Sequence, residues 1–286
     1  MTPQDHFIDI GLKLHVREWS GDATTFVLLH GLSSNSRTWD MVAEELARAG
    51  YHVIAVDQRG HGLSDKPDDG YDFAPITADL AGLLQLMDLD RPILVGQSWG
   101  GNVLLEFGAR YPGLASGLGF VDGGFIDLQS RPGATWQSVS AELKPPNLLG
   151  MPLETMKRKL AEAHSDWSEA AIEATLGNFE ILPDGTIRPW LTLNRHMAIL
   201  RAMWEQRPAR LYPRVVQPVL VCAAKDDNNP TWTAVKSEQV GALQTGLDRC
   251  TIRWFDRTDH DIHVHRPSAL ASLLLETLKN GVWSEP

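Results

Sequence analysis

The sequence has no apolar run approaching the 18 or so residues that a bilayer-spanning helix requires, so no membrane partner is expected. Its opening residues, Met1-Thr2-Pro3-Gln4-Asp5-His6, carry neither a basic stretch nor an apolar one. No secretion signal is expected there, and the default expectation is a soluble, cytoplasmic protein. Basic excess is missing too: 26 Lys and Arg against 36 Asp and Glu give a formal net charge of −10. Nucleic-acid binding needs a positive footprint, so that class is set aside, and a strongly anionic substrate is disfavoured. Cysteine is scarce, with only Cys222 and Cys250. They read as the end of one parallel strand and the start of the next, roughly 15 Å apart by the rise per residue. A disulfide tolerates about 7 Å between Cα atoms. Two free thiols suit a reducing compartment, and neither has the spacing of a metal site. Internal repeats and low-complexity tracts are absent as well.

What is present is ordinary globular material. The 286 residues are 43% hydrophobic and 22% charged, enough for a sizeable core. Phe7–Ile10 and Leu12–Val16 open the chain as short amphipathic segments, the second alternating as a half-buried antiparallel strand does. Phe26–Leu29, Val53–Val56, Pro92–Val95 and Gly119–Val121 are short continuous apolar runs, as in buried parallel strands. Between them lie helical patterns: Trp39, Val42, Ala43, Leu46 and Ala47, then Ile76, Leu80, Leu83, Leu84 and Met87. Another helix follows Ser98 and stops at Tyr111-Pro112-Gly113. Regular alternation of strand and helix predicts a doubly wound, mostly parallel α/β sheet.

From about Ile126 to Tyr212 the pattern changes to helical segments broken by Pro145-Pro146 and Leu182-Pro183-Asp184-Gly185, with no strand evident. Alternation resumes with the strand at Pro218–Cys222, a helix from Trp232 to Leu243, the strand Thr251–Phe255 and a last helix carrying Leu270, Leu273, Leu274 and Leu278. The expected organisation is therefore a core of residues 1–125 and 213–286 interrupted by a helical insertion, 126–212.

Chemistry concentrates at Gly96-Gln97-Ser98-Trp99-Gly100, between a predicted strand and a predicted helix. A serine hydroxyl is a weak nucleophile until a base takes its proton, and a sharp strand-to-helix turn exposes its oxygen. Glycines permit that turn, and the helix N-terminus favours developing negative charge. Three further landmarks follow the same order along the chain. Leu29-His30-Gly31-Leu32 ends a buried strand. Asp57-Gln58-Arg59-Gly60-His61-Gly62-Leu63-Ser64 forms a charged, glycine-rich loop. Arg257-Thr258-Asp259-His260-Asp261-Ile262-His263-Val264-His265-Arg266-Pro267 lies between the last strand and last helix.

Together these motifs resemble the α/β-hydrolase fold superfamily, as a serine hydrolase with a helical cap. The resemblance implies Ser98 as nucleophile, with the backbone N–H groups of Leu32 and Trp99 as the oxyanion hole. It implies His260 as base, with His263 a distant second. Asp259 stands where the family usually has glycine, while Pro267 fits the family pattern. His30 and the Asp57–Ser64 loop are implied to be structural. For the acid that orients the base, the segment Lys225-Asp226-Asp227-Asn228-Asn229-Pro230 matches the family's G-x-x-D, with Ala224 in place of the glycine. The ranking is Asp227 first, Asp226 second, and Asp122 of Val121-Asp122-Gly123-Gly124 third, since some members place the acid after the earlier strand. Three histidines so close hint at a metal, but no second ligand cluster accompanies them. No metal and no cofactor are expected.

The implied reaction is hydrolysis of a carboxylic ester or lactone of a small molecule through an acyl-enzyme on Ser98. An alternative with the same machinery is carbon–carbon hydrolysis of a diketone-type compound. Ser98 argues against haloalkane dehalogenases and epoxide hydrolases, whose nucleophile is an aspartate. Proline iminopeptidases carry H-G-G-P-G, which His30-Gly31-Leu32-Ser33-Ser34 does not match. A small-molecule receptor with an intact triad is the alternative of another class, which turnover would distinguish. The insertion holds Met151, Met156, Met197 and Met203, and Trp136, Trp167, Trp190 and Trp204. As a cap lining they would suit an apolar acyl group.

Overall fold

A computed structural model describes residues 1–225 and 230–283. The strands are β1 (Gln4–Asp9), β2 (Lys13–Trp19), β3 (Ala23–Leu29), β4 (Tyr51–Val56), β5 (Ile93–Gln97) and β6 (Gly117–Val121). After the insertion, which holds β7 (Met151–Pro152), β8 (Phe179–Ile181) and β9 (Thr186–Pro189), come β10 (Val219–Lys225) and β11 (Cys250–Asp256). Eight of these form the main sheet in the order β1-β2-β4-β3-β5-β6-β10-β11. Strand β2 runs antiparallel to both its neighbours, as its alternation predicts, and the pairings from β4 to β11 are parallel.

The α/β alternation is completed by α1 (Asp40–Arg48), α2 (Phe73–Leu86) and α3 (Trp99–Arg110). Both faces of the sheet are covered, which explains the continuous apolar runs. On one face Phe26, Leu28, Val53, Ala55, Ile93 and Val95 pack with Val42 and Leu46 of α1. On the other, Val27, Leu29, Ile54, Val56 and Leu94 pack with Leu80 and Leu83 of α2 and Val103 and Phe107 of α3. Among the described residues no helix is long and apolar enough to cross a membrane.

Between β6 and β10 the chain forms α4 (Trp136–Glu142), α5 (Leu153–Ala163), α6 (Glu169–Leu176) and α7 (Leu193–Glu205). It also forms the small antiparallel sheet β7-β9-β8, which the sequence pattern did not announce. Leu182-Pro183-Asp184-Gly185, read only as a break, is the turn joining β8 to β9, with Gly185 at φ 78°. Strands of two to four residues are too short for alternation to register. The insertion is held to the core by polar contacts. Asn35 Nδ2 donates to the carbonyl of Ala174 at 3.1 Å, and Arg195 Nε to that of Pro67 at 3.0 Å. Beyond it lie α8 (Pro230–Gly246), α9 (Ile262–His265) and α10 (Pro267–Lys279).

Cys222 and Cys250 are both free. Cys250 sits opposite Val219 in the parallel register, three residues before Cys222. That offset alone is about 10 Å, shorter than the sequence estimate but still beyond disulfide reach.

Candidate active site

Strand topology brings the landmarks together. Chain order reverses between β3 and its neighbour β5, and the carboxyl ends of strands at such a point form a crevice. His30-Gly31-Leu32 follows β3, Ser98 follows β5, and Asp122 follows β6, the next strand over. The loop carrying His260 follows β11 at the sheet edge and must reach back toward Ser98.

Ser98 occupies the left-handed region at φ 53°, ψ −119°. A non-glycine residue there is strained, and such strain is held only where the surroundings fix it. The Ser98 N–H donates to the carbonyl of Val121 at 2.9 Å, tying the turn to β6. Gly100 is required by close approach: a Cβ there would stand 2.6 Å from the carbonyl oxygen of His30 and 2.7 Å from that of Leu29. Trp99 is the first residue of α3, and amides of a helix's first turn have no intrahelical acceptor. Its indole stacks on His61 at 5.3 Å.

Gln97, inside the pentapeptide, secures the histidine loop. Its Nε2 lies 3.3 Å from the carbonyl oxygen of His260 and 3.2 Å from Oδ1 of Asp261. His260 Nδ1 lies 2.6 Å from Oδ2 of Asp122. The Asp122 side chain is buried (1% exposed), whereas that of His260 is 44% exposed. Asp122 Oδ1 accepts the N–H of Ala224 at 2.8 Å. Its Oδ2 also accepts from Lys236 Nζ at 2.6 Å. Burial pushes the Asp122 carboxyl toward protonation, but His260 and then Lys236 outweigh it and hold it below the usual carboxylate value. Burial likewise pushes His260 toward the neutral form, and Asp122 more than reverses this, so its pKa stands above the ordinary histidine value.

Asp226 and Asp227 lie outside the described residues. Of the three candidate acids, Asp122, ranked last from the sequence, is the one seen against His260. The three histidines of the loop diverge. His263 is fully buried against Trp39, ring centroids 4.6 Å apart, with no hydrogen-bond partner on either nitrogen among the described residues. Burial pushes its pKa down to about 3. His265 turns to Asp166 of the insertion at 2.6 Å. Among the described residues no group of three or more His, Cys, Asp or Glu is placed to hold a metal.

The other charged landmark is a brace. Asp57 accepts from the N–H of Ser36 at 2.7 Å and lies 2.8 Å from His15 Nδ1. Arg59 makes a two-pronged pair with Asp79 at 2.7 and 2.8 Å. His30 is buried, and its Nε2 accepts the N–H of Gln58 at 3.0 Å while Nδ1 faces the carbonyl of Gly31. Lys236 was missed from the sequence: a lysine in the middle of a helix carries no local sign that its head will be buried.

Leu32, Ser98 and His260 line one cavity of about 800 Å³, with Leu128, Leu143, Leu200 and Met203 among its other walls. All four of these walls come from the insertion, and His196 of α7 joins it to the core through Ser33 Oγ at 2.8 Å. Of the four methionines and four tryptophans noted in the insertion, only Met203 lines this cavity.

The chain is 40% identical over 123 residues to 2-(acetamidomethylene)succinate hydrolase of Mesorhizobium japonicum, a match covering 41% of this chain and 44% of that protein. It thus spans less than half the length of the curated relatives it matches at 38 to 40% identity. A non-heme chloroperoxidase of Streptomyces lividans is 25% identical over 94% of this chain and 97% of its own. The crystal structure of E-2-(acetamidomethylene)succinate hydrolase superposes with a TM-score of 0.80 at 24% identity, covering 96% of this chain and 98% of that one. The model of the alpha/beta hydrolase family matches residues 26–273, and the chain belongs to that family.

Proposed function

We propose that the protein is a serine hydrolase that cleaves a carboxylic ester or lactone of a small apolar substrate through an acyl-enzyme on Ser98. The observation that carries this reading is the 2.6 Å contact of His260 Nδ1 with Asp122, in a loop whose histidine shares a cavity with Ser98. With Nδ1–H given to the carboxylate, Nε2 is the free, basic nitrogen. His260 Nε2 takes the Ser98 proton as Oγ attacks the substrate carbonyl. The amides of Leu32 and Trp99 receive the oxyanion. Collapse expels the alcohol, which takes the proton from His260. Water then gives a proton to His260 and attacks the acyl-enzyme; collapse releases the acid as Ser98 Oγ takes that proton back from His260. Asp122 fills the orienting role first assigned to Asp227. The insertion acts as the cap, and its apolar walls favour an apolar acyl group.

A second reading comes from the cavity wall and from the Mesorhizobium relative, whose name describes a succinate derivative bearing an acetamido group. Arg131 lines the cavity and could meet a substrate carboxylate. Its guanidinium, however, already binds both oxygens of Glu142 at 2.7 and 2.8 Å and stacks over Trp232 at 5.0 Å. That pairing offsets the guanidinium charge and favours the apolar ester, although Nη1 has no hydrogen-bond partner among the described residues. A screen of nitrophenyl esters, lactones, diketones and amide-bearing dicarboxylates on wild type and Ser98→Ala tests both. Ester turnover lost in Ser98→Ala is expected. Full activity in the mutant refutes the nucleophile, and turnover confined to dicarboxylates selects the second reading.

A further inference from the structure

Lys236 projects from α8 into the sheet end with its side chain only 5% exposed. Taking an ammonium group out of water costs several kcal/mol unless a partner compensates. Its partners are Asp122 Oδ2 at 2.6 Å and the carbonyl of Ala224 at 2.8 Å. The oxygen it uses on Asp122 is the one that faces His260 Nδ1, also at 2.6 Å. The ammonium and the imidazole therefore lie no further apart than twice that distance. A bridge serving packing alone could have taken Oδ1, which instead accepts the amide of Ala224.

We infer that Lys236 is a positioning residue that fixes the Asp122 carboxylate toward His260 and offsets its charge, so that His260 stays a free base at lower pH. This rests on reading Asp122 and His260 as the orienting acid and base. Two consequences follow from the geometry. With the Lys236 head and the Ala224 amide each holding one oxygen, the carboxylate has one orientation, and Oδ2 remains on the Nδ1 side. The charge effect has a definite sign. An imidazolium beside a lone carboxylate is stabilised by the full negative charge, whereas beside a carboxylate–ammonium pair it meets little net charge. Among the described residues, Asp261 and His263 also face His260 from its own loop and α9. Glu142, Arg131 and His196 line the same cavity, the first two paired with each other. None of these takes the Asp122 oxygen that Lys236 shares with His260.

The test follows Ser98 phosphonylation by a fluorophosphonate against pH, beside the titration of His260 in the NMR of histidine-labelled protein. Removing the positive charge in Lys236→Met should raise the pKa of His260, moving the acid limb of the reaction and the NMR midpoint upward by about one pH unit. Lys236→Arg, which keeps the charge, should leave both near wild type. KM for a responsive ester should stay within about twofold, since Lys236 does not line the cavity. Should Lys236→Met fail to fold, Lys236→Gln keeps a donor for Asp122 and makes the same comparison. A loss of rate that is uniform across pH, with both midpoints unmoved, would overturn the inference and leave Lys236 a structural bridge. If wild type does not react with the fluorophosphonate, the nucleophile reading fails, and the NMR midpoints still decide the role of Lys236.

Discussion

Asp122 and His260 meet at 2.6 Å although they lie 138 positions apart in the chain, the carboxylate in the turn after β6 and the imidazole in the loop after β11. Asparagine at position 122 would keep the shape but offer an amide in place of the acceptor, favouring the tautomer whose Nε2 carries the proton. Asp122→Asn is therefore expected to cost about 10⁴ in kcat. Asp227→Asn and Asp226→Asn should each cost less than about threefold. Steady-state kinetics on a responsive ester, with circular dichroism to check folding, gives the ranking. The reverse order would return the orienting role to the β10 loop.

Gly100→Ala sets two effects against each other. Alanine is favoured over glycine within a helix by about 1 kcal/mol. The new Cβ, however, would meet the backbone oxygens of His30 and Leu29 at 2.6 and 2.7 Å, and backbone cannot step aside as a flexible side chain can. The clash should win, with a net loss of about 2 kcal/mol or more. Urea unfolding checks this. Unchanged or raised stability would mean that α3 and the β3 turn separate freely.

These two cases also mark what was legible in the sequence. The elbow is a local feature: strand, turn serine and close-packed glycines lie within five residues, so Ser98 and its turn could be read directly. The buried strands were legible because β3, β4, β5 and β6 are covered on both faces and so carry continuous apolar runs. The contact of Asp122 with His260 was not, because it depends on the path of a loop from the far edge of the sheet, which no local pattern encodes. The ammonium of Lys236 was hidden for the same reason. The small sheet β7-β9-β8 was missed because its strands, two to four residues long, span at most two periods of alternation, too few to register.

His263 carries a pH effect on stability. It is neutral in the fold, with its pKa pushed down to about 3 by burial, while an unfolded histidine titrates near 6.5. Below the unfolded value the unfolded chain gains a proton that the native state refuses. The stabilisation is thus intact above pH 6.5 and is lost progressively as pH falls toward 3, at no more than about 1.4 kcal/mol per unit. His263→Phe keeps a ring against Trp39, removes two unpartnered buried nitrogens and abolishes this dependence. Thermal or urea unfolding between pH 4 and 7 should show a shallower slope in the variant. An unchanged slope would assign the dependence to other groups.

Leu200 of α7 is the position where the insertion and substrate size should meet. It is 1% exposed and lines the cavity with Met203 and Leu143, while Ser98 and His260 lie on the core side. An indole there would take space from the acyl side without touching the elbow or the His260–Asp122 contact. Leu200→Trp should reduce kcat/KM for long-chain nitrophenyl esters by about tenfold or more and leave acetate esters within about threefold. The ratio of long-chain to short-chain kcat/KM in the two proteins is the measurement. Because the acid–base pair is untouched, the pH profile on acetate should not move. A displaced profile would point to disruption of the catalytic residues, and an unchanged chain-length preference would mean that the acyl group lies elsewhere in the cavity.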